Sequence, residues 1–249
     1  MSAWKVLLTD GLEENGKAIL QEAAEVTDRT GISAEELLTI IGEYDAIIVR
    51  GRTKVTQAVF AAGQKLKAVG RAGVGVDNID LNAAREAKVT VVNSPIATTL
   101  AVAELTLGLM LSLVREIARA DAGMKAGKWL KKEMEGTELN GKVLGVIGFC
   151  RNGVSVAVRA QAFGMKIIAY DPLLPADEIA RRGGEPVSLS YLYARADMIT
   201  MHIPLTPESR NMLNAEAFGR MKNGVRIICA ARGGVIDEAA LAEMLKARQ

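Results

Sequence analysis

The sequence predicts an α/β chain of two parallel-sheet domains, one over residues 1–97 and one over residues 98–249. Three observations carry this. Short apolar runs recur between segments with helical apolar spacing, the pattern of parallel βαβ units. The alternation runs twice, interrupted by a long apolar stretch that begins at Thr98. The second run opens on a strand, a glycine-containing turn and a helix start. The 249 residues, 49% hydrophobic and 24% charged, are enough to bury a sizeable core. Only 4% aromatics beside 24 glycines suits helices packed closely on sheets.

In the first half, Lys5–Thr9 reads as a buried strand ended by Asp10-Gly11. Leu12–Ala23 has helical apolar spacing, and Ser33 with Glu36 is a capping-box start for a helix through Ile41. Further strands are expected at Ala46–Val49, Ala68–Val69 and Val89–Val92, with a short helix at Thr56–Ala62. The third of these strands leads into the glycine-rich turn Gly70–Gly75, and the fourth closes at Asn93-Ser94-Pro95.

Thr98–Ala126 is expected to be one long helix, apolar on most of its surface between Leu105 and Val114. Such a helix is buried, either within the core or against a second copy of the chain, so a homodimer through helix 98–126 is expected. Trp129–Asn140 reads as a polar crossing segment. The second alternation then places strands at Val143–Ile147, Lys166–Tyr170, Pro186–Ser188, Met198–Met201 and Arg226–Cys229. Its helices are expected at Gly153–Phe163, Pro175–Arg182, Leu189–Ala194, Ala215–Met221 and Glu238–Ala247.

Composition argues against several functions. The 31 basic and 29 acidic residues are mixed along the chain, so no charged block marks a nucleic-acid partner. The apolar run Leu105–Val114 is far shorter than the ~20 residues of a membrane span, and the N-terminus lacks a signal-peptide pattern. Cys150 and Cys229 form neither a metal cluster nor a disulfide framework, which suits the cytoplasm and predicts no metal site.

The stretch Leu144–Gly153 carries the sharpest chemistry. In a dinucleotide fingerprint the first glycine makes the tight turn, the second admits the pyrophosphate, and the third lets helix and strand pack closely. Gly148 and Gly153 hold the first and third places, and Cys150 the second, followed by Arg151 and Asn152. A second strand ends at Asp171, close to the ~20-residue spacing at which an acid accepts the adenosine ribose hydroxyls. No arginine follows it directly, which favours NAD over NADP. The plainer reading is that Asp171 caps a turn before Pro172. At position 150 a side chain intrudes towards the phosphates, and a left-handed backbone there costs Cys more than Gly. NAD affinity is therefore expected to be weakened, and a reactive thiol at the helix start is the alternative.

Several longer strings resemble the D-2-hydroxyacid dehydrogenase family. Gly70–Asp80 (GRAGVGVDNID) is similar to its interdomain loop. Gly136–Lys142, Ala162–Lys166, Tyr170-Asp171-Pro172, His202–Thr206 and Ala231–Asp237 resemble its phosphoglycerate dehydrogenase branch, which serves serine biosynthesis. The resemblance covers essentially the whole chain. It implies two Rossmann-like or flavodoxin-like domains, a substrate lid over 1–97 and an incomplete NAD-binding Rossmann domain over 98–249, with the active site in the cleft. It further implies hydride transfer between NAD and a small D-2-hydroxy acid such as 3-phosphoglycerate.

By the same resemblance, Arg232 is catalytic, binding and polarising the substrate, a role suited to its bidentate fork. Arg50, Arg52 and Arg71 help hold carboxylate and phosphate, and Gly73, Val74 and Gly75 offer backbone N–H groups, Val74 also lying beside the nicotinamide. His202 and Pro204 border the adenine pocket, while Cys229, Ala230, Ala231 and Arg232 line the nicotinamide side. Four positions depart from the family pattern: Cys150, Asn152, Cys229 and Thr98. The family's glutamate and histidine acid/base pair lies beyond the Arg-Gly-Gly segment, whereas this sequence ends at Gln249 and contains only His202. The expectation is a truncated, inactive or severely impaired chain, engineered or a natural pseudoenzyme. A non-catalytic dinucleotide-binding or scaffold protein is the alternative.

Overall fold

The computed structural model describes residues 3–247. It divides into two compact units, Met1–Thr98 and Thr99–Gln249. No helix among the described residues is long and apolar enough to cross a membrane.

The first unit runs β1 (Trp4–Leu8), α1 (Glu14–Gln21), β2 (Ala24–Asp28), α2 (Ala34–Ile40), a 3-10 turn (Ile41–Glu43), β3 (Ala46–Val49), α3 (Gln57–Ala62), β4 (Ala68–Arg71), α4 (Leu81–Glu86) and β5 (Thr90–Asn93). All five strands are parallel in the order β2-β1-β3-β4-β5, the flavodoxin-like arrangement. Leu7, Ile47, Val49 and Val69 bury one face against α2, α3 and α4, while Val6, Leu8 and Ala46 bury the other. The Ser33 cap forms, its hydroxyl accepting the Glu36 N–H at 3.1 Å. The Glu36 side chain does not complete the box; it pairs with Arg29 instead.

Two elements lie outside the sequence reading. β2 falls after the expected first helix, which ends at Ala23, in a stretch given no element. Its residues, Ala-Glu-Val-Thr-Asp, make an edge strand held by β1 alone, and carboxylates at such an edge discourage pairing with other chains. α4 is only six residues long, too short for a periodic signal, and is started by the Asp80 carboxylate accepting the Asn82 and Ala83 N–H groups.

The second unit runs α5 (Thr99–Val114), α6 (Ile117–Lys125), β6 (Val143–Ile147), α7 (Arg151–Ala162), β7 (Lys166–Tyr170), α8 (Ala176–Arg181), β8 (Glu185–Pro186), α9 (Leu189–Arg195), β9 (Met198–Met201), α10 (Ala215–Gly219), β10 (Arg226–Cys229) and α11 (Glu238–Lys246). Its five parallel strands are ordered β8-β7-β6-β9-β10. Counted within the unit this is 3-2-1-4-5, the doubly wound Rossmann order. Alternate residues face opposite cores: Leu144, Val146 and Met198 pack under α5 and α7, and Ile147, Ile199 and Met201 pack under α9 and α10.

The single helix expected over 98–126 is corrected to two. Glu116 takes a left-handed φ of +52° between α5 and α6, and Thr137 donates its N–H to the Val114 carbonyl at 2.8 Å. That carbonyl is thus satisfied by the crossing segment, which ends α5 where apolar periodicity gives no signal. Burial is corrected as well. Ala103, Leu107, Met110 and Val114 are buried, but Leu105, Leu109 and Leu113 stay exposed.

Candidate functional site

In the second unit the carboxyl ends of β7, β6, β9 and β10 stand side by side, with Tyr170 paired to Ile147, Ile147 to Met201, and Met201 to Cys229. The residues that follow these strands therefore share one edge of the sheet, where open α/β sheets bind ligands.

Gly148 opens the turn at φ +90° and donates its N–H to the Tyr170 carbonyl at 2.8 Å. A Cβ on Gly148 would lie 2.8 Å from the His202 carbonyl carbon, so only glycine fits. A Cβ on Gly153 would lie 2.1 Å from the Gly148 oxygen, which shows how closely α7 begins against the turn. The N-cap of this twelve-residue helix is Cys150, whose side chain makes no capping bond. The first-turn N–H groups, including those near Arg151 and Asn152, are left by the cap for an anion, with the helix dipole behind them.

The strain expected at Cys150 is corrected. Its backbone is extended, φ −72° and ψ −169°, and the left-handed residue of the turn is Gly148. The Cys150 thiol turns to the His202 carbonyl, Sγ to O 3.4 Å. Any cost to a bound pyrophosphate is therefore the bulk of the side chain and not the backbone.

Asp171 answers to both of its readings. Its Oδ1 accepts the Leu173 N–H at 2.9 Å, a turn cap, and its Oδ2 accepts the Phe149 N–H at 2.8 Å, within the glycine turn. An ionised carboxylate has about four lone-pair sites, so acceptor capacity remains for sugar hydroxyls.

His202 is buried at the end of β9, with Nε2 3.0 Å from Thr200 Oγ1 and Nδ1 without a partner. Burial pushes its pKa down to about 4, so the ring is neutral near pH 7. Pro204 is exposed, its carbonyl taking the Ser209 hydroxyl at 2.7 Å. After β10, the segment Cys229 to Gly234 borders a cavity of about 390 Å³ closed on one side by Leu241. There Cys229 Sγ lies 3.9 Å from the Arg232 carbonyl, and Arg232 Nη1 donates to the Ala231 carbonyl at 3.0 Å.

In the first unit the named residues follow β3 and β4. Gly73, at φ +154°, has the Arg71 guanidinium in the space a Cβ would take, and Arg71 Nη1 donates to the Ala72 carbonyl at 3.2 Å. Val74 and Gly75 continue that turn, and Asn93 Nδ2 holds the Val74 carbonyl at 2.6 Å. The Arg50 N–H is bound by Asp10 at 2.7 Å while its side chain is exposed. Arg52 is committed to the scaffold: it pairs with Asp10 at 3.3 Å and donates to the Thr9 and Ile32 carbonyls. Burial pulls the Asp10 pKa up, but the Thr53 hydroxyl and the Thr53 and Arg50 N–H groups outweigh it and hold the carboxyl below its usual range. Asp10, Thr53 and Asn78, which fix this turn, were not named as site residues from sequence. The Asp10-Gly11 strand end was their one legible signal.

Residues 107–249 match the model of the D-isomer specific 2-hydroxyacid dehydrogenase NAD-binding domain. The chain belongs to the D-2-hydroxyacid dehydrogenase family. D-3-phosphoglycerate dehydrogenase of Methanocaldococcus jannaschii is 50% identical over 243 residues, 97% of this chain and 46% of that protein. The human D-3-phosphoglycerate dehydrogenase is 44% identical over 98% of this chain and 46% of its own length. The chain thus spans under half the length of these curated relatives. Among solved structures, apo D-lactate dehydrogenase from Escherichia coli superposes at TM-score 0.83 with 31% identity, over 98% of this chain and 79% of that one. A glyoxylate reductase from Paecilomyes thermophila gives 0.90 with 30% identity, over 100% and 79%. In this D-2-hydroxyacid dehydrogenase chain, the second unit binds NAD. The close approach of α7 to the turn at Gly148 and Gly153 leaves no room for a Cβ at either position, which fits a dinucleotide turn.

Proposed function

We propose that the chain serves an NAD-dependent dehydrogenase of 3-phosphoglycerate or a closely related D-2-hydroxy acid. The observation that carries this is the Asp171 carboxylate fastened to the glycine turn through the Phe149 N–H, which joins the sugar and diphosphate positions in one rigid corner. Asp171 accepts the ribose hydroxyls, and the first turn of α7, with Arg151 and Asn152, faces the diphosphate. His202 and Pro204 border the adenine end, and Cys229 to Arg232 the nicotinamide end. Bound NAD supplies the hydride acceptor. Arg232 orients the substrate's carboxylate and carbonyl through its fork. Arg50, Arg71 and the Gly73–Gly75 amides bind the substrate's anionic groups. Arg52 acts one step back, by pairing with Asp10, whose carboxylate holds the Arg50 backbone N–H. The enzyme is placed in the cytoplasm, in keeping with its two free cysteines.

His202 is not assigned the proton transfer, because it is buried, neutral and bound to Thr200. This favours a second reading for the 249-residue polypeptide by itself, dinucleotide binding without turnover. Calorimetric titration with NADH tests the reading. Saturable binding is expected, and Cys150→Gly should tighten it about tenfold, ~1.4 kcal/mol. No binding of either protein at millimolar NADH would sink it. With 3-phosphoglycerate and NAD, no NADH should form from this polypeptide alone; measurable turnover would show that a proton-transfer group has gone unrecognised.

The homodimer is proposed on α5, whose exposed Leu105, Leu109 and Leu113 form an apolar stripe beside the edge strand β10. Sedimentation should show a dimer that Leu109→Glu dissociates. A wild-type monomer at tens of micromolar would refute it.

A further inference from the structure

The opposite edge of the second sheet carries another polar site. Where β6, β9 and β10 begin, a cavity of about 140 Å³ is bordered by Thr137, Lys142, Asp197, Lys222, Asn223 and Arg226, with Glu138 at its rim. Nucleotide-sized pockets run to roughly 300–1,000 Å³, so this one admits only a small ion or the end of a small molecule.

Three cations and two carboxylates surround it, and their commitments differ. Asp197 has a partner on each oxygen and an ion pair with Lys222: Oδ1 accepts from Lys222 Nζ and Oδ2 from the Val143 N–H, both at 2.8 Å. Glu138 is exposed and engages neither remaining cation. Lys142 is half-buried, and its ammonium makes no hydrogen bond or ion pair; its charge is felt by Asp197 at a distance. Arg226, also half-buried, gives one N–H to Thr137 Oγ1 at 2.9 Å, out of the five that a guanidinium carries. Two partly desolvated cations thus face one small cavity with most of their donors unmet. An anion there relieves an electrostatic cost that the fold otherwise bears.

We propose that this cavity binds a small oxyanion, free phosphate or the phosphate end of a small phosphomonoester, between Lys142 and Arg226. The planar fork of Arg226 matches two phosphate oxygens, and Lys142 supplies a point charge to a third. Thr137 holds the fork in place, and the Lys222–Asp197 pair keeps the competing carboxylate occupied. The site lies at the strand ends away from the glycine turn, so it stands or falls independently of the dinucleotide reading.

The test is a titration of the ¹⁵N-labelled chain with inorganic phosphate, and in parallel with glycerol 3-phosphate, at constant ionic strength set by chloride. The amides of Val143, Asn223 and Gly224 should shift saturably. Lys142→Gln should weaken binding about tenfold and Arg226→Gln should abolish it, with the NADH titration unchanged in both. Glycerol 3-phosphate matching phosphate would assign a phosphomonoester, and phosphate alone the free ion. The proposal is overturned if the shifts appear only at 148–152, if chloride reproduces them, or if Lys142→Gln titrates like the wild type. The Lys142 side chain makes no hydrogen bond or ion pair in the fold, so that variant keeps the test decisive even if Arg226→Gln folds poorly.

Discussion

Gly153→Ala is expected to unfold the second unit more readily by ~2–4 kcal/mol and to eliminate NADH binding. The added methyl would sit 2.1 Å from the Gly148 oxygen, backbone against backbone, so no side-chain rotation relieves it. Either α7 moves off the turn or the Gly148 peptide rotates. Rotation would break the 2.8 Å bond from the Gly148 N–H to Tyr170 and disturb the neighbouring Phe149 bond to Asp171. Both routes damage the corner proposed to receive the dinucleotide. The matched control is Gly219→Ala at the end of α10, where nothing lies within 4 Å of the new Cβ and φ is not left-handed. That change should be neutral or stabilising by ~0.5 kcal/mol. Urea midpoints and NADH titrations of the two variants decide the matter. Equal stability and equal binding would mean that helix and turn are not in close contact.

Acid should destabilise the chain well above the carboxylate range, and through a single residue. His202 titrates near pH 6.5 when unfolded but is held at about 4 in the fold, chiefly by burial. The unfolded chain therefore takes up the proton first. The stability contributed by the neutral ring is complete above about pH 6.5 and is lost as pH falls towards 4. Between pH 7.5 and 5 this amounts to about 2 kcal/mol by linkage. The carboxylates with lowered pKa values, Asp10, Asp28, Asp45, Asp197, Glu178 and Glu208, act lower still, so they leave this window clear. Since the sequence has one histidine, His202→Gln should flatten the slope. Urea midpoints at a series of pH values measure it; an unchanged slope in the variant would assign the effect elsewhere.

Where the sequence reading held, the signal was local. Val143–Ile147, Lys166–Tyr170 and Met198–Met201 are interior strands whose apolar runs match the observed strands residue for residue, and the edge strand Arg226–Cys229 matches as well through its apolar Ile227-Ile228. The edge strands β2 and β8 lack that signature. β2 has to carry charges along its open side, and β8 is two residues long, so neither is legible as an apolar run. In the site, Gly148, Gly153 and Asp171 declared themselves by residue type and spacing. Asp10 and Thr53 did not, because their bond spans more than forty residues of chain.

By itself the sequence determined the two-sheet α/β class, because that depends on apolar period, and the family, because the longer strings resemble it; the Gly148 turn was legible because no other residue fits there. Tertiary structure alone decided the break after Val114, made by a Thr137 N–H from a distant segment, and the conformation of Cys150, which a left-handed Gly148 spares from strain. It also decided the neutral state of His202 and the convergence of Lys142 and Arg226 on one cavity. These depend on which long-range neighbours desolvate or satisfy a polar group, and chain order does not encode that locally.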